Sequence, residues 1–373
     1  MKKVLLSIIG GQNLPNYLAS IMVSPDVNIL FYSAASKANM LLLKETLSAE
    51  VLAYEIQAFN YNAMFSLADR IFKQYAGHEL YANITGGTKI ESIALFDAAR
   101  ANNSTSIYMN TEDNSFIRFT ASGGITTSLN EEIRVKGDIK KFIRLRGEET
   151  IIRLEPETPA RLQLRTFLEN NFYNFSDIIL SFASRNTNDV SQPIEKTSGR
   201  YLGTCIRYAG RKSTIMFYDK QQHCFGVEEE GSGLAEYIRG AWFEHACYQK
   251  LLDTGHFDDL LLNVTIRKKQ TAPSDKFEDK NEIDIIGIKG IFPSIFECKS
   301  GKIKPGAIEK LIAIKQNYLP RYTQMYLITY FALSEKVEQH RLLKERMRDA
   351  GIVHLLYHDL SNIGHKVIRR ANL

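Results

Sequence analysis

Hydrophobic residues along the first hundred positions alternate between two rhythms. Residues 4–9 form an apolar run of β-formers, the pattern of a strand buried on both faces, and 27–32 reads as a second strand. Between and after them the spacing turns helical: 17–23, a stretch carrying Met40, Leu41, Leu43 and Leu47, and 63–75. A strand at 80–84 runs into a helix ending near Ala101, followed by a strand at 105–109 and a hairpin around 116–119. Strands alternating with helices predict a doubly wound α/β sheet. Farther on, 160–170 and 177–183 have helical spacing, and 213–218 with 223–228 read as a hairpin around 219–222, a small winged-helix-like insert. From residue 234 the pattern changes again. A helix starts near Gly240 and runs to Leu252, with Trp242, Ala246 and Leu252 among its apolar positions. Strands at 282–288 and 294–299 flank a turn at 289–293, then come helix 307–318, strand 325–330, a basic amphipathic helix at 334–350 and strand 352–357. A mixed sheet flanked by helices follows. These patterns divide the chain into 1–145, a connector at 146–235, and 236–373, with the basic run 131–153 and the prolines at Pro156 and Pro159 marking the linker.

A length of 373 residues allows two cores. The net charge of +5 is unevenly placed. Residues 1–150 hold 15 Lys and Arg against 15 Asp and Glu, leaving 32 against 27 of the chain's 47 and 42 to the rest. A basic surplus confined to the back half suits a polyanionic substrate, though it is also ordinary for a soluble protein. No apolar run has the length of a membrane span, and the opening residues turn polar too soon for a signal segment. Cys205, Cys224, Cys247 and Cys298 have no CxxC spacing and the eight histidines form no HxH or HExxH, so reduced thiols, a cytoplasmic location and no zinc site are expected.

Two stretches carry chemistry. Ligands of doubly wound sheets bind beyond the carboxyl ends of the strands, and three donor-rich loops leave those ends: 10–16, 33–37 and 85–89. In the last, Gly86 and Gly87 allow close approach of backbone N–H groups to a phosphate, Thr88 adds a hydroxyl, Lys89 a charge, and the following helix its dipole. A plain helix-start turn is the alternative. GxxxxGK[ST] is absent, no GxGxxG follows the first strand, and no acid ends the second, which removes the supports for ATP or NAD.

The second stretch is the hairpin at 281–300. At a period of two, Ile295, Glu297 and Lys299 share a face with Asp284 roughly opposite Glu297, while Phe296 and Cys298 face the other way. Charges facing a sheet interior are costly unless they bind something. Asp284 and Glu297, with the Cys298 carbonyl, offer hard oxygens suited to Mg²⁺ or Mn²⁺, and Lys299 could orient or deprotonate a bound water. A solvated hairpin with an ordinary ion pair is the alternative.

The pattern Asp284…Glu297-Cys298-Lys299 resembles the PD-(D/E)xK restriction-endonuclease-like superfamily, with Ile283 in place of its usual proline. The 7–16 loop and the run Asn83-Ile84-Thr85-Gly86-Gly87-Thr88-Lys89 resemble the ligand loops of a CARF domain, a Rossmann-like fold that dimerises and binds cyclic oligoadenylates across its two-fold axis. Carried over by position, Gly10, Gly11, Gln12, Asn13, Thr85, Gly86, Gly87, Thr88 and Lys89 line that pocket, joined on loop position by Ser33, Lys37, Asn110 and Thr111. The two resemblances together, with Glu244 on the helix before the hairpin as orienter of the metal-water shell, look like a type III CRISPR ancillary nuclease. They imply a homodimer activated by cyclic tetra-adenylate that cleaves DNA or RNA, most readily single-stranded, in antiviral defence. Arg267, Lys268 and Lys269 would contact phosphate backbone, or simply form a charged loop. One departure is Leu319-Pro320 after the helix 307–318, where a glycine pair is expected. The competing reading is a nucleotide-sensing regulator that binds nucleic acid without cutting it.

Overall fold

The computed structural model describes residues 1–122, 125–152, 157–184, 194–195, 201–208, 212–219, 222–231, 233–268, 282–301, 303 and 306–363. Asn281, Lys269, Arg153 and the segments 186–193 and 270–280, on which several sequence expectations fall, lie outside the described residues, as does the side chain of Lys268.

The chain builds three sheets. The first runs through β1 (Lys3–Ile8), α1 (Leu14–Val23), β2 (Val27–Tyr32), α2 (Lys37–Thr46), β3 (Glu50–Glu55), α3 (Tyr61–Gln74), β4 (Glu79–Asn83), α4 (Lys89–Ala101) and β5 (Thr105–Asn110), closing with β6 (Ser115–Ser122) and β7 (Ile125–Glu132). Its order is β3-β2-β1-β4-β5-β6-β7. The first five strands are parallel and the last two return antiparallel. Because β1 and β4 are neighbours, the winding direction reverses between them, and a crevice opens at their carboxyl ends. Val4, Leu6, Ile8 and Ile29 pack under Met64, Phe72, Ala94 and Leu95 of α3 and α4 on one face. Leu5 and Ile107 pack under Leu18 and Val23 of α1 on the other, so β1 has no polar face to present. The edge strand β3 carries no long apolar run, since Glu50 and Glu55 bracket it, and the hydrophobic pattern does not announce it.

After α5 (Ile139–Arg144) comes β8 (Glu148–Ile152), then α6 (Pro159–Ser184). Where helical spacing predicts two helices in the connector, one continuous helix spans both. Its partners are a four-stranded antiparallel sheet, β9 (Ile194–Glu195), β10 (Tyr201–Tyr208), β11 (Lys212–Asp219) and β12 (Gln222–Glu230). This is not a winged-helix insert. Leu164, Phe172 and Phe175 of α6 share one core with Phe217 of β11 and with Trp242 and Phe296 farther along the chain.

The third sheet follows α7 (Gly233–Glu236) and α8 (Trp242–Asp253). It contains β13 (Asp259–Lys268), β14 (Glu282–Lys289), β15 (Phe292–Lys299), β16 (Gln324–Thr329) and β17 (Ile352–Leu356), with α9 (Gly306–Tyr318) and α10 (Glu338–Asp349) between strands. The order is β17-β16-β15-β14-β13-β8. The connector's β8 thus closes the edge of the last sheet by pairing with β13. Ile139, Phe142 and Ile143 of α5, assigned by sequence to the front unit, pack into the last sheet's core beside Ile283, Ile295 and Leu311. Hydrophobic periodicity marks these segments as buried without saying which sheet buries them. On α8 Trp242 and Ala246 are buried as expected, but near the helix end the inward residue is Leu251, whereas Leu252 is 48% exposed. No helix among the described residues is long and apolar enough to cross a membrane.

Candidate functional site

Two places in the fold gather polar side chains, and they are built on different physical terms. The first lies at the carboxyl ends of β1 and β4. The loops there are in direct contact: a Cβ on Gly10 would meet the Gly87 nitrogen at 2.8 Å, and one on Gly86 would meet the Ile8 carbonyl oxygen at 2.0 Å. Gly87 also adopts a left-handed φ of +77°. The glycines are therefore required by the packing of one loop on the other, whatever they bind.

A buried amide chain fastens the loops from beneath. Asn16 Nδ2 donates to the Ile8 carbonyl at 3.2 Å, and Asn83 Nδ2 donates to Asn16 Oδ1 at 2.7 Å. Asn83 Oδ1 accepts from the Thr85 hydroxyl at 2.7 Å, and that oxygen in turn accepts the Met109 N–H at 2.7 Å. Asn16 and Asn83 are the residues that sequence reasoning left without a role. Asn83 ends a buried strand and Asn16 lies in the buried first turn of α1, where an unpaired amide would be costly.

Several of the expected pocket residues also make hydrogen bonds within the loops. Thr85 bridges β4 to β5 with its hydroxyl and is a structural strut. Thr88 caps α4: its Oγ1 accepts the Glu91 N–H at 3.4 Å while Glu91 returns a carboxylate to the Thr88 N–H at 2.7 Å. The hydroxyl and the helix N-terminus are thus partly occupied from within. Ser33 is engaged with Ser36 across a short 3-10 turn. Asn110 Nδ2 donates to Asp113 at 2.7 Å and holds the β5–β6 turn. Gly11, Gln12, Lys37, Gly87 and Lys89 remain open to solvent around the crevice. Asn13 is buried, donates to the Asn39 carbonyl at 3.0 Å, and leaves its Oδ1 without a hydrogen-bond partner. Thr111 lies beside the Tyr322 phenol within hydrogen-bond reach.

The second place is the end of the β14–β15 hairpin. Side-chain alternation reverses there. On β13, Leu260 and Leu262 belong to one core and Val264 and Ile266 to the other. Asn263 between them has a left-handed φ of +52°. On β14, Ile283 and Ile286 face the same core, so the face switches at Asp284, which the strand register skips. Simple period-two counting on β14 fails at this point, yet on β15 it holds: Ile295 and Glu297 lie opposite Phe296 and Cys298.

Asp284 and Glu297 are only 5% and 3% exposed. Asp284 Oδ2 accepts the Cys298 N–H at 2.8 Å. Lys299 Nζ stands 2.6 Å from Glu297, 3.5 Å from Asp284 and 3.1 Å from the Cys298 carbonyl oxygen. A second lysine, Lys310 from α9, bridges both acids at 3.1 Å and 2.6 Å. Burial opposes the charge on each lysine, but the two carboxylates outweigh it and both pKa values lie above the usual lysine range. With both carboxylates beside it, Lys299 is held as an ammonium in this arrangement. Glu244, on the first turn of α8, is half-buried beside this group. Burial first, and then the Asp284 charge, raises its pKa to about 8. Behind the site the Cys247 and Cys298 thiols are fully buried against each other, and burial pushes both up, so neither is a thiolate.

The donor set fits a hard divalent cation. Two carboxylates and a carbonyl converge, and an ammonium already spans the acids where a cation's charge would rest. Among the described residues no group of three or more His, Cys, Asp or Glu is arranged to hold a metal. Arg267 lies on β13, within a strand rather than a charged loop.

Residues 4–137 match the profile of the Card1 CARF domain. No curated protein matches the chain by sequence. Among solved structures, the chain is similar to Can2 from Sulfobacillus thermosulfidooxidans, determined in complex with cyclic tetra-adenylate, at 18% identity, with all of both chains covered and a TM-score of 0.66. It is similar to a Vibrio cholerae protein at 13% identity over 99% of this chain and 98% of that one, with a TM-score of 0.71. A type III CRISPR defence DNA nuclease activated by cyclic oligoadenylate matches 88% of this chain but only 45% of its own length, at 13% identity and a TM-score of 0.55. The parallel sheet with its paired glycine loops, residues 4–137, is thus a CARF domain, and it is joined to a second α/β unit in an arrangement shared with these structures.

Proposed function

We propose that this chain is a cyclic oligoadenylate-gated, metal-dependent nuclease of the PD-(D/E)xK type, acting as a homodimer in type III CRISPR defence. The observation that carries the reading is the convergence of Asp284, Glu297 and two ammonium groups at a buried hairpin end. A bland surface ion pair would be solvated and worth little, whereas these acids are out of water and need a positive partner. Asp284, Glu297 and the Cys298 carbonyl would hold Mg²⁺ or Mn²⁺. Such a cation supplies a polarised phosphoryl oxygen and an acidified water. Lys299 aligns the nucleophile and offsets charge at the scissile phosphate. Glu244, on the helix before the hairpin and beside Asp284, would orient the metal-water shell.

The sensor half of the reading is supported by the CARF domain and by a neighbour of the same fold that binds cyclic tetra-adenylate. Gly10, Gly11, Gln12, Gly86, Gly87 and Lys89 offer backbone N–H groups and one charge to a phosphate ring. A four-fold ring of adenylates has two-fold symmetry and fits a dimer axis. The dimer face is α4, where Ile90 and Ile93 are 39% and 52% exposed next to Lys89. A sensor that binds nucleic acid without cutting it is the second reading, since the family match covers residues 4–137 alone.

The deciding assay incubates single-stranded DNA, single-stranded RNA and supercoiled plasmid with Mn²⁺, with and without cyclic tetra-adenylate. Cleavage only when both are present is expected, and EDTA should stop it. Intact substrates bound under all conditions would favour the second reading.

A further inference from the structure

We propose that the turn after α9 completes an activator subsite with the sensor loop, and that α9 transmits its occupancy to Lys310 at the carboxylate pair. The inference rests on the reading that the CARF loops bind a cyclic oligoadenylate.

A cavity of about 520 Å³ lies between the CARF domain and the last sheet, within the size range of small-ligand pockets, roughly 300–1,000 Å³. The sensor contributes Gln12, Asn13 and Thr111 to its wall; the remainder of the chain contributes Arg146, Arg321 and Tyr322. Asn13 is 2% exposed and its Oδ1 has no partner, an acceptor suited to an adenine amino group or a ribose hydroxyl. Arg146 and Arg321 supply the charge a phosphate needs. This gives the segment Leu319-Pro320 a place: it turns the chain after α9 so that Arg321 and Tyr322 face the sensor.

The same helix reaches the other site. Lys310 lies in its second turn and Tyr318 at its end, about 12 Å apart along the axis at 1.5 Å per residue. Arg146 Nε now donates to the Tyr318 carbonyl at 2.8 Å. A phosphate entering the cavity competes for that guanidinium and releases the end of α9. Ile308, Leu311 and Ile314 hold the helix as one body against the sheet, so a shift of about 1–2 Å, typical of helix movements in such transitions, reaches Lys310. A displacement of that size away from the acids lengthens its 3.1 and 2.6 Å contacts to Asp284 and Glu297 past hydrogen-bond range. The two states thus differ in what each ligand meets. Without activator, Lys310 neutralises both acids and competes with the cation; with it, the acids are free to bind one. Linkage makes the effect reciprocal, so the cation must tighten activator binding by the same factor.

The test uses the full chain without nucleic acid, titrated calorimetrically with Mn²⁺ and with cyclic tetra-adenylate, each alone and in the presence of the other. In the wild type each ligand should tighten the other about tenfold, within the usual range of allosteric coupling. Lys310→Gln should bind Mn²⁺ tightly whether or not activator is present. Arg321→Ala, at an exposed position, should bind activator several-fold more weakly; Lys310→Gln and Lys310→Met are compared so that a folding defect in one is recognised by its melting curve. A Lys310→Gln chain with wild-type coupling, or an Arg321→Ala chain with wild-type activator affinity, overturns the proposal while leaving the CARF pocket intact. A wild-type chain that does not bind the activator, or a Lys89→Ala chain that binds it equally well, instead sinks the sensor reading and the inference with it.

Discussion

The glycine loops at the ends of β1 and β4 and the hairpin end at Asp284 are both polar constellations beside a sheet, yet they are opposites. In the sensor loops, polar groups are mostly satisfied by one another: Asn16, Asn83, Thr85, Thr88 and Glu91 form closed hydrogen-bonded chains, and what remains for a ligand is backbone, Gln12, Lys37, Lys89 and the open acceptor on Asn13. At the hairpin, formal charges are buried and, among the described residues, are balanced by Lys299 and by Lys310 of α9. A self-satisfied loop keeps its shape while empty and waits for a ligand. A buried pair of acids cannot wait without a counter-charge, and so recruits one from its own chain.

The sharpest way to break this contrast is at Glu297. Glu297→Gln removes the ligand charge and leaves the shape, and activator-dependent cleavage should fall on the order of 10³-fold or more, a loss of about 4 kcal/mol in transition-state stabilisation. Cyclic tetra-adenylate binding should stay within a few-fold of wild type. Cleavage at near wild-type rates in quantified plasmid or oligonucleotide assays would remove the hairpin from the chemistry.

Gly86→Ala probes the other side. A Cβ there is placed 2.0 Å from the Ile8 carbonyl oxygen, backbone against backbone, with no flexible end to yield. The expected cost is about 1–3 kcal/mol, read as a lower melting temperature for the CARF core together with weaker activator binding. A variant that melts like wild type would show that the loops are not held together by this contact.

The smallest effect is one of pH. Because burial and Asp284 raise the Glu244 pKa from 4.5 to about 8, the folded chain holds that proton where the unfolded chain has lost it. Its contribution therefore favours folding less and less as pH rises from about 4.5 to about 8. In metal-free buffer, the wild type should lose stability relative to Glu244→Gln across that window, measured by denaturant melts at pH 5 and pH 8. Parallel curves would mean that Glu244 is better solvated than its position indicates.

Much of this was readable from residues in line. Runs such as 4–9 and 27–32, the glycine pair before α4, and the acid and acid-Cys-Lys positions of the hairpin follow from local periodicity and turn chemistry. Both depend on neighbours a few residues away. Lys310 was not legible, because nothing in GAIEKLIAIKQNY distinguishes an inward lysine from the ordinary solvent-facing one at that spacing. Nor was the face reversal at Asp284, which depends on the left-handed turn at Asn263 in the adjacent strand. The membership of β8 and α5 in the last sheet was hidden for the same reason: apolar pattern tells a segment to be buried, and only the pairing of distant strands says where.

Taken alone, then, the order of residues determined the alternation of strands and helices, the glycine-rich loops and the acids able to hold a cation. Only the tertiary structure decided which polar groups are already engaged, that two lysines rather than one neutralise the acids, and that one helix spans from the sensor crevice to them. Charge balance in a buried site is set by everything that packs around it, and a chain read in one dimension does not contain that sum.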